Sequence, residues 1–376
     1  NYTERLARNI TRFTGPGAEP GTPQEMALAN QVLDQWRNGA SQTLCGDIDQ
    51  SARESRYDLE LQDTLSLSDS LRLVSGLNYR YDRASSETYF NGTLDDTTWR
   101  AFGQLEWRAT EHWLLQGGAM FEDTQLIGSS LTPRFAINYL INPRHGLRAV
   151  YSEAIRSPDM FENNVNWSYQ VSKLRPSAYG KSSARYFVKT RGPGDLDQEH
   201  MRSRELGYNG YFAEWGLAVD VKLFYDEITG MISEPLRNNQ YIASNANSSR
   251  FRGTETQLDW RVSRADRLRF TYAFVEAEAS NPLDQQFTSR NSGSAGWLRD
   301  WGHGWNSALF YYGDNALNGY RFERVDTRIA KRIALGKAQL QLAGVLQQRL
   351  DHEPTTFVDN NYDERRVMYF SAELEF

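Results

Sequence analysis

The chain has 376 residues, 39% of them apolar, with a formal net charge of −6 and a mean hydropathy of −0.67. A membrane-spanning helix needs about 18–20 consecutive apolar residues. The longest run here, glycine counted, is Ala308–Gly313, which excludes helical spans but not strands that need only alternate residues apolar. The acidic balance also argues against a chain that coats nucleic acid with a basic face.

Period-two alternation predicts a succession of strands. In chain order they fall near 2–13, 52–66, 70–84, 95–109, 113–125, 130–141, 146–155, 197–212, 215–229, 248–262, 266–278, 286–299, 304–313, 320–332, 336–350 and 362–376, about sixteen in all, with a weaker alternation at 237–246. Residues 217–226 show the pattern. Leu217, Val219, Val221, Leu223 and Tyr225 share one face, while Asp220, Lys222, Phe224 and Asp226 share the other. The last stretch repeats it, with Met368, Phe370, Ala372, Leu374 and Phe376 in one row. Short turns are expected at Ser68-Asp69, Thr110–His112, Asn142–Gly146, Ala213-Glu214, Arg264-Ala265 and Leu335-Gly336. Long polar loops are expected near 14–51, 85–94, 156–196, 279–285, 314–319 and 351–361.

A soluble β-sandwich also alternates, burying its apolar rows against a second sheet. Three features favour an all-β, antiparallel transmembrane β-barrel instead. Many predicted strands exceed the roughly 9–11 residues that cross hydrocarbon at a tilt. The turns are short at one end and long at the other, as in outer-membrane barrels. Trp107, Trp113, Tyr211, Trp215, Trp260 and Trp301 lie close to the short turns, where rings would form an interfacial girdle and account for an aromatic content of 13%. Such a chain must close, because an open sheet edge in hydrocarbon leaves backbone groups unpaired. Lys331 interrupts the apolar row of Val325, Thr327 and Ile329, and its position near a short turn predicts that it snorkels.

From Leu131 the sequence runs through Thr132, Pro133, Arg134 and Phe135 into a strand, then a turn, then a strand that ends in Arg156-Ser157-Pro158 with Glu162 close behind. Further on come Glu205-Leu206-Gly207-Tyr208, then Phe224-Tyr225-Asp226, then Gly253-Thr254-Glu255. These segments resemble the barrel of TonB-dependent outer-membrane receptors, and the terminal Phe376 is similar to the aromatic signal that such barrels present to the assembly machinery. The resemblance covers essentially the whole chain. It implies structural roles for Pro133, Arg134, Arg156, Ser157, Pro158, Glu162, Glu205, Gly207, Tyr208 and Phe376. It also implies a parent barrel of about 22 strands around an N-terminal plug. The plug, the segment that engages TonB and about six strands lie outside this sequence on that reading, and a chain cut this way would expose two sheet edges. The chain begins at Asn1 without an apolar leader, so any export signal is expected to have been removed or to lie outside the sequence.

The ligand lead is the stretch from Asn163 to Gly194. It carries Lys173, Arg175, Lys181, Arg185, Lys189 and Arg191 without an acid, interleaved with Trp167, Tyr169, Tyr179, Tyr186 and Phe187. A cationic, aromatic loop at a barrel mouth would attract an anionic, partly apolar ligand such as a ferric siderophore. The alternative is that its cations pair with lipopolysaccharide phosphates, and the two roles can coexist. No enzyme is expected, since the five histidines are scattered and no catalytic or metal spacing results. The lone Cys45 provides neither a disulfide framework nor a cysteine-based metal site. No intrinsic cofactor is expected, and iron enters only within a transported chelate. The expected partners are outer-membrane lipid and lipopolysaccharide, TonB through the plug, the barrel-assembly machinery and a small-molecule ligand, with the protein in the outer membrane of a Gram-negative bacterium. The alternatives are a passive sixteen-stranded porin, a receptor of the same family for cobalamin or another non-iron ligand, and a soluble adhesive β-protein.

Overall fold

A computed structural model describes residues 45–176, 182–233, 243–286, 288–317, 320–352 and 364–376. The strand predicted near 2–13 and the weak alternation over 237–242 lie outside the described residues, and 243–246 is not strand.

The described chain is almost entirely antiparallel sheet. After a short β1 (Cys45–Ile48) come β2 (Arg53–Ser68), β3 (Leu71–Ser86), β4 (Gly92–Arg108), β5 (Trp113–Thr124), β6 (Gly128–Asn142) and β7 (His145–Arg156). A helical turn, α1 (Met160–Asn164), then leads to β8 (Asn166–Arg175) and β9 (Ala184–Arg191). Next are β10 (Glu199–Phe212), β11 (Leu217–Met231), β12 (Asn247–Arg261), β13 (Asp266–Ala279), a second turn α2 (Pro282–Gln285) and β14 (Asn291–Gly302). The chain finishes with β15 (Trp305–Leu317), β16 (Tyr320–Leu335), β17 (Ala338–Arg349) and β18 (Arg366–Glu375). Fifteen strands form one sheet in sequence order from β2 to β18, with β7 pairing directly with β10 across the inserted β8 and β9. The insertion pairs instead with β1 in a separate sheet of order β1-β8-β9.

Register fixes the two faces. Leu223 stands opposite Leu206 and Thr254, and Lys222 stands opposite Gly207 and Glu255, so one residue of slip would exchange the apolar and charged rows. Leu206, Leu223, Phe135, Ile137, Leu342 and Phe370 are all exposed, with no second layer over them. A sandwich would have buried them. On the other face Lys222 meets Glu255 at 2.6 Å, and Arg148 meets Glu205 at 2.6 Å and Asp220 at 3.4 Å. Charged partners facing a lumen and bare aliphatic rows facing hydrocarbon give the transmembrane barrel wall that the alternation predicts. The sheet ends at β2 and β18, and neither outer edge has a strand partner among the described residues.

The two ends of the wall differ. At one end tight hairpins join β2 to β3, β4 to β5, β6 to β7, β10 to β11, β12 to β13, β14 to β15 and β16 to β17. Rings gather there with their polar tips satisfied: Trp260 Nε1 donates to the Trp215 carbonyl at 2.9 Å, Trp297 Nε1 to Asp266 at 2.9 Å, and His145 Nδ1 meets the Tyr208 hydroxyl at 2.8 Å. Lys331 bends toward this end as predicted, its Nζ donating to the His303 carbonyl at 2.5 Å and standing over the Trp305 ring.

The opposite end corrects several expected loops. Apart from β18, the strands of the wall run 12 to 17 residues, so they project past the hydrocarbon span and absorb residues assigned to connections. Only residues 87–91 separate β3 from β4, only 318–319 separate β15 from β16, and 125–127 join β5 to β6. The stretch 156–196, expected as a loop, is folded.

Candidate ligand-binding mouth

At the mouth, β7 ends on Arg156 and the chain turns through Ser157 and the buried Pro158 into α1. The spacing Asp159-x-x-Glu162 builds a capping box: Asp159 accepts from the Glu162 N–H at 2.7 Å, and Glu162 accepts from the Asp159 N–H at 3.0 Å. Arg156 ties this turn to the wall. Its Nη1 donates to Glu162 at 2.9 Å and its Nη2 to Glu199, the first residue of β10, at 2.5 Å. Both carboxylates hold the guanidinium proton more tightly, raising its pKa well above the ordinary value, with Glu199 the larger cause. Burial pushes the Glu199 carboxyl up, but its bonds from Arg156 and from the Ile232 N–H outweigh that and leave it below the usual range. Ser157 donates to Glu122 at 3.0 Å, and Glu122 is also held by Arg100 at 2.5 Å. Arg100 reaches Asn78 at 3.2 Å and Asn78 reaches Asp58 at 2.7 Å, so a polar chain runs from the loop across four strands.

Above this anchor the three-stranded sheet covers its own core. Val165, Trp167, Tyr169, Val171, Leu174, Leu196, Ile232 and Ala243 are buried together, with Ile48, Tyr89 and Phe161 packed against them. The Tyr89 and Trp167 rings meet edge-on at 5.2 Å between centroids, and Trp167 and Tyr169 at 5.8 Å. The Asn166 N–H donates to the Tyr89 carbonyl and the Ser168 N–H to the Thr88 carbonyl, both at 2.8 Å, while Thr88 Oγ1 donates to the Asp49 carbonyl at 2.5 Å. Gly192 lies against the Asn163 backbone, where a Cβ would stand 2.2 Å from the carbonyl oxygen. Loop and barrel are therefore stitched through backbone bonds as well as through Arg156.

This geometry revises the ligand set drawn from the sequence. Trp167 and Tyr169 are 8% exposed, so their rings hold the cap together rather than meeting a ligand. Arg185 donates to Glu87 at 3.3 Å and to Asn91, and Lys173 donates to Asp47 at 2.8 Å. Hydrogen bonding from Lys173 holds the Asp47 carboxyl below its usual range. The stretch has no acid of its own, but neighbouring loops supply them, and nothing in the linear spacing could have shown that. Arg175 lies at the exposed end of β8 opposite Cys45, and Arg191 is half-buried opposite Asn166. Tyr186 and Lys189 are placed on β9 by the backbone, and Tyr179 and Lys181 lie outside the described residues.

The family-like residues occupy joints of the wall. Glu205 receives Arg148 Nε at 2.6 Å, and Gly207 leaves room for that arginine, since a Cβ there would stand 2.6 Å from Nε. Tyr208 belongs to the hairpin-end girdle. Pro133 sits one residue beyond Arg134, the last residue of β6 paired with β7, so its missing N–H falls where that ladder stops. Phe376 is fully exposed beyond the last strand.

With the wall and its cap described, comparison with known proteins decides the family. The β-barrel of TonB dependent receptor-like proteins matches residues 2–345. The chain belongs to the TonB-dependent receptor β-barrel family. Members of this family are receptors and transporters, not enzymes, which sets aside the soluble adhesive and porin alternatives. Among curated relatives, the vitamin B12 transporter BtuB of Vibrio cholerae serotype O1 is 24% identical over 158 residues, covering 40% of this chain and 24% of the relative. Among solved structures, the siderophore receptor PirA from Pseudomonas aeruginosa superposes with a TM-score of 0.63 at 13% identity, covering 86% of this chain and 56% of that one. The copper transporter OprC superposes at 0.58 with 15% identity, covering 79% and 50%. The chain thus spans about a quarter of the length of the curated relative and about half that of these structures.

Proposed function

We propose that this chain is barrel wall and mouth of an outer-membrane receptor in a Gram-negative bacterium that captures a ferric siderophore for uptake energised through TonB. The observation that carries the reading is the folded cap. A passive channel has no use for a loop that builds its own aromatic core and is pinned to the wall by Arg156, whereas selective capture needs a recognition surface that is ordered before the ligand arrives. Arg175, at the exposed rim, would steer an anionic chelate toward the mouth. Iron would enter only inside the chelate, with no intrinsic cofactor. TonB would act through the plug region of the whole protein, and the C-terminal strand ending at Phe376 would guide barrel assembly. The fold shared with PirA supports the siderophore class, while the sequence likeness to BtuB supports a second reading, a corrinoid ligand.

Competition binding on the full-length protein, with ferric siderophores, haem, cobalamin and copper as competitors, separates these readings. Displacement by ferric siderophores alone is expected. Displacement by cobalamin instead would favour the corrinoid reading. Converting Arg175 to serine should slow association and flatten its salt dependence, and an unchanged on-rate would remove this cation from capture.

A further inference from the structure

At the hairpin end the lumen face of the wall carries a hollow made by small residues between two polar rows. Asn209, Asp220 and Gln257 stand directly opposite one another on β10, β11 and β12. One step nearer the turn, Tyr211, Ala218 and Asp259 do the same. On β7 the rows continue into Gly146, which faces Asn209, and Arg144, whose carbonyl accepts from the Tyr211 N–H at 2.9 Å. These positions share the face of Arg148 and Lys222, so they line the lumen and lie away from hydrocarbon. Tyr211, expected from the sequence in the lipid-facing girdle, therefore belongs to the inner row. With glycine at 146 and alanine at 218, the rows enclose a groove of about 650 Å³. A second hollow of about 660 Å³ shares Asn142, Arg144 and Tyr211 with it and carries it over the hairpin tips to Glu214.

The lining leaves its neutral donors and acceptors free. The carboxamides of Asn209 and Gln257 and the Tyr211 hydroxyl have no hydrogen-bond partner among the described residues, and all three side chains are exposed. The carboxylates are occupied: Asp259 holds Arg267 at 2.5 Å and Arg269 at 3.0 Å, and Asp220 lies 3.4 Å from Arg148. Two opposite charges are free at the tips, since neither Arg144 nor Glu214 has an ion partner among the described residues.

Each feature narrows the partner. A carboxamide donates and accepts at once, as a sugar hydroxyl or an N-acetyl group does, and a phenol ring offers a pyranose an apolar face and a polar tip. An extended peptide would instead seek a free strand edge, and here β10, β11 and β12 are paired on both sides. Arg144 suits a carboxylate and Glu214 an ammonium group. Amino sugars joined to a short peptide that bears both charges combine all of these groups.

We propose that the groove at the hairpin end binds peptidoglycan, with an amino sugar over Tyr211 between Asn209 and Gln257 and the stem peptide crossing the tips to Arg144 and Glu214. This rests on the barrel standing in an outer membrane with its hairpins toward the periplasm. Such binding tethers the receptor to the cell wall at the end opposite the ligand-binding mouth.

The test titrates the full-length protein in detergent with a fluorescent muropeptide, a disaccharide carrying its tetrapeptide, and with the disaccharide and the tetrapeptide alone. Saturable binding of the muropeptide is expected, at least about tenfold tighter than that of either half, since each half forfeits hydrogen bonds of that combined worth. The double variant Y211A/Q257A should lose at least about tenfold, and so should A218F, which fills the hollow without removing a polar group. Q341A, which alters a carboxamide on β17 remote from the groove, should bind as the unaltered protein does. No saturable binding, or a double variant that folds and binds normally, would overturn the site, and a tetrapeptide that binds as tightly as the muropeptide would make it a peptide groove instead. If a variant does not fold, the comparison of the three ligands on the unaltered protein still decides. Extraction of the protein without detergent would refute the membrane reading itself, an outcome distinct from a membrane-embedded barrel that ignores muropeptide.

Discussion

Tryptophans at the two ends of this molecule live in opposite surroundings. In the cap, Trp167 is 8% exposed and touches Tyr89, Phe161 and Tyr169. At the hairpin end, Trp215 is 62% exposed and, among the described residues, stacks on Phe212 alone. The cap carries a small core of the kind a water-soluble domain builds, closed by protein on all sides. The girdle leaves its rings bare, and their burial has to come from lipid. One chain thus satisfies two solvents, and the same residue type holds a loop together in one and marks a membrane boundary in the other.

The strongest way to break this comparison is Trp167→Ala. Emptying a buried ring site costs about 3–5 kcal/mol, and the loss should fall on the cap alone, because the β7–β10 ladder closes beneath it. Limited proteolysis should cut between residues 163 and 194 while the barrel keeps its heat-modifiable gel mobility. Collapse of the barrel would mean that the cap is not a separate unit. Next in size, Leu223→Arg on the lipid face should cost about 2–4 kcal/mol if it lies at mid-membrane. Lys222→Leu, its neighbour on the lumen face, gives up the partly exposed pair with Glu255 and the contact over the Phe224 ring, together about 1–2 kcal/mol or less. Refolding titrations into lipid vesicles measure both, and equal effects would mean that the faces are misassigned.

A smaller effect sharpens the boundary between cap and wall. Arg156→Gln removes charge-assisted bonds to Glu162 and Glu199 and should loosen the cap by about 1–3 kcal/mol. Acid should do the same reversibly. The Glu199 carboxyl is held below its ordinary value of 4.5 in the folded state, so its contribution is complete above that pH and is lost as pH falls through the depressed folded value. Protection of the amides between residues 160 and 199, measured against their intrinsic exchange rates at each pH, should therefore fall in acid for the unaltered protein. In the glutamine variant it should be low already at neutral pH.

The wall was legible from the chain because its signal is local. Alternation needs only neighbours, and Leu217 to Tyr225 against Asp220 to Asp226 fixed both the strand and its faces. The short turns and their aromatics were legible for the same reason. The cap was not. Its strand β8 is paired by β1, more than 120 residues upstream in the register Asp47 to Ser172, and a pairing at that distance leaves no periodic mark. Counting charge along 163–194 likewise gave a cationic loop, whereas Asp47 and Glu87 arrive from other connections to meet Lys173 and Arg185. The aromatics misled in the same way, since Trp167 and Tyr169 read as ligand contacts until Tyr89 and Phe161 were placed beside them.

The smallest predicted effect is the other half of the opening contrast. Trp215→Ala removes a ring that contacts Phe212 at 5.7 Å, while the Trp215 carbonyl that receives Trp260 Nε1 belongs to the backbone and survives the change. No protein cavity is created, so in detergent the cost should stay near the value of one aromatic pair, about 1 kcal/mol. Placed beside Trp167→Ala, the same chemical deletion should then differ several-fold in free energy, and only the girdle variant should respond to the lipid into which it is folded. If Trp215→Ala proves as costly as Trp167→Ala in detergent, the hairpin-end ring is packed by protein. The girdle would then have to be redrawn as a second core.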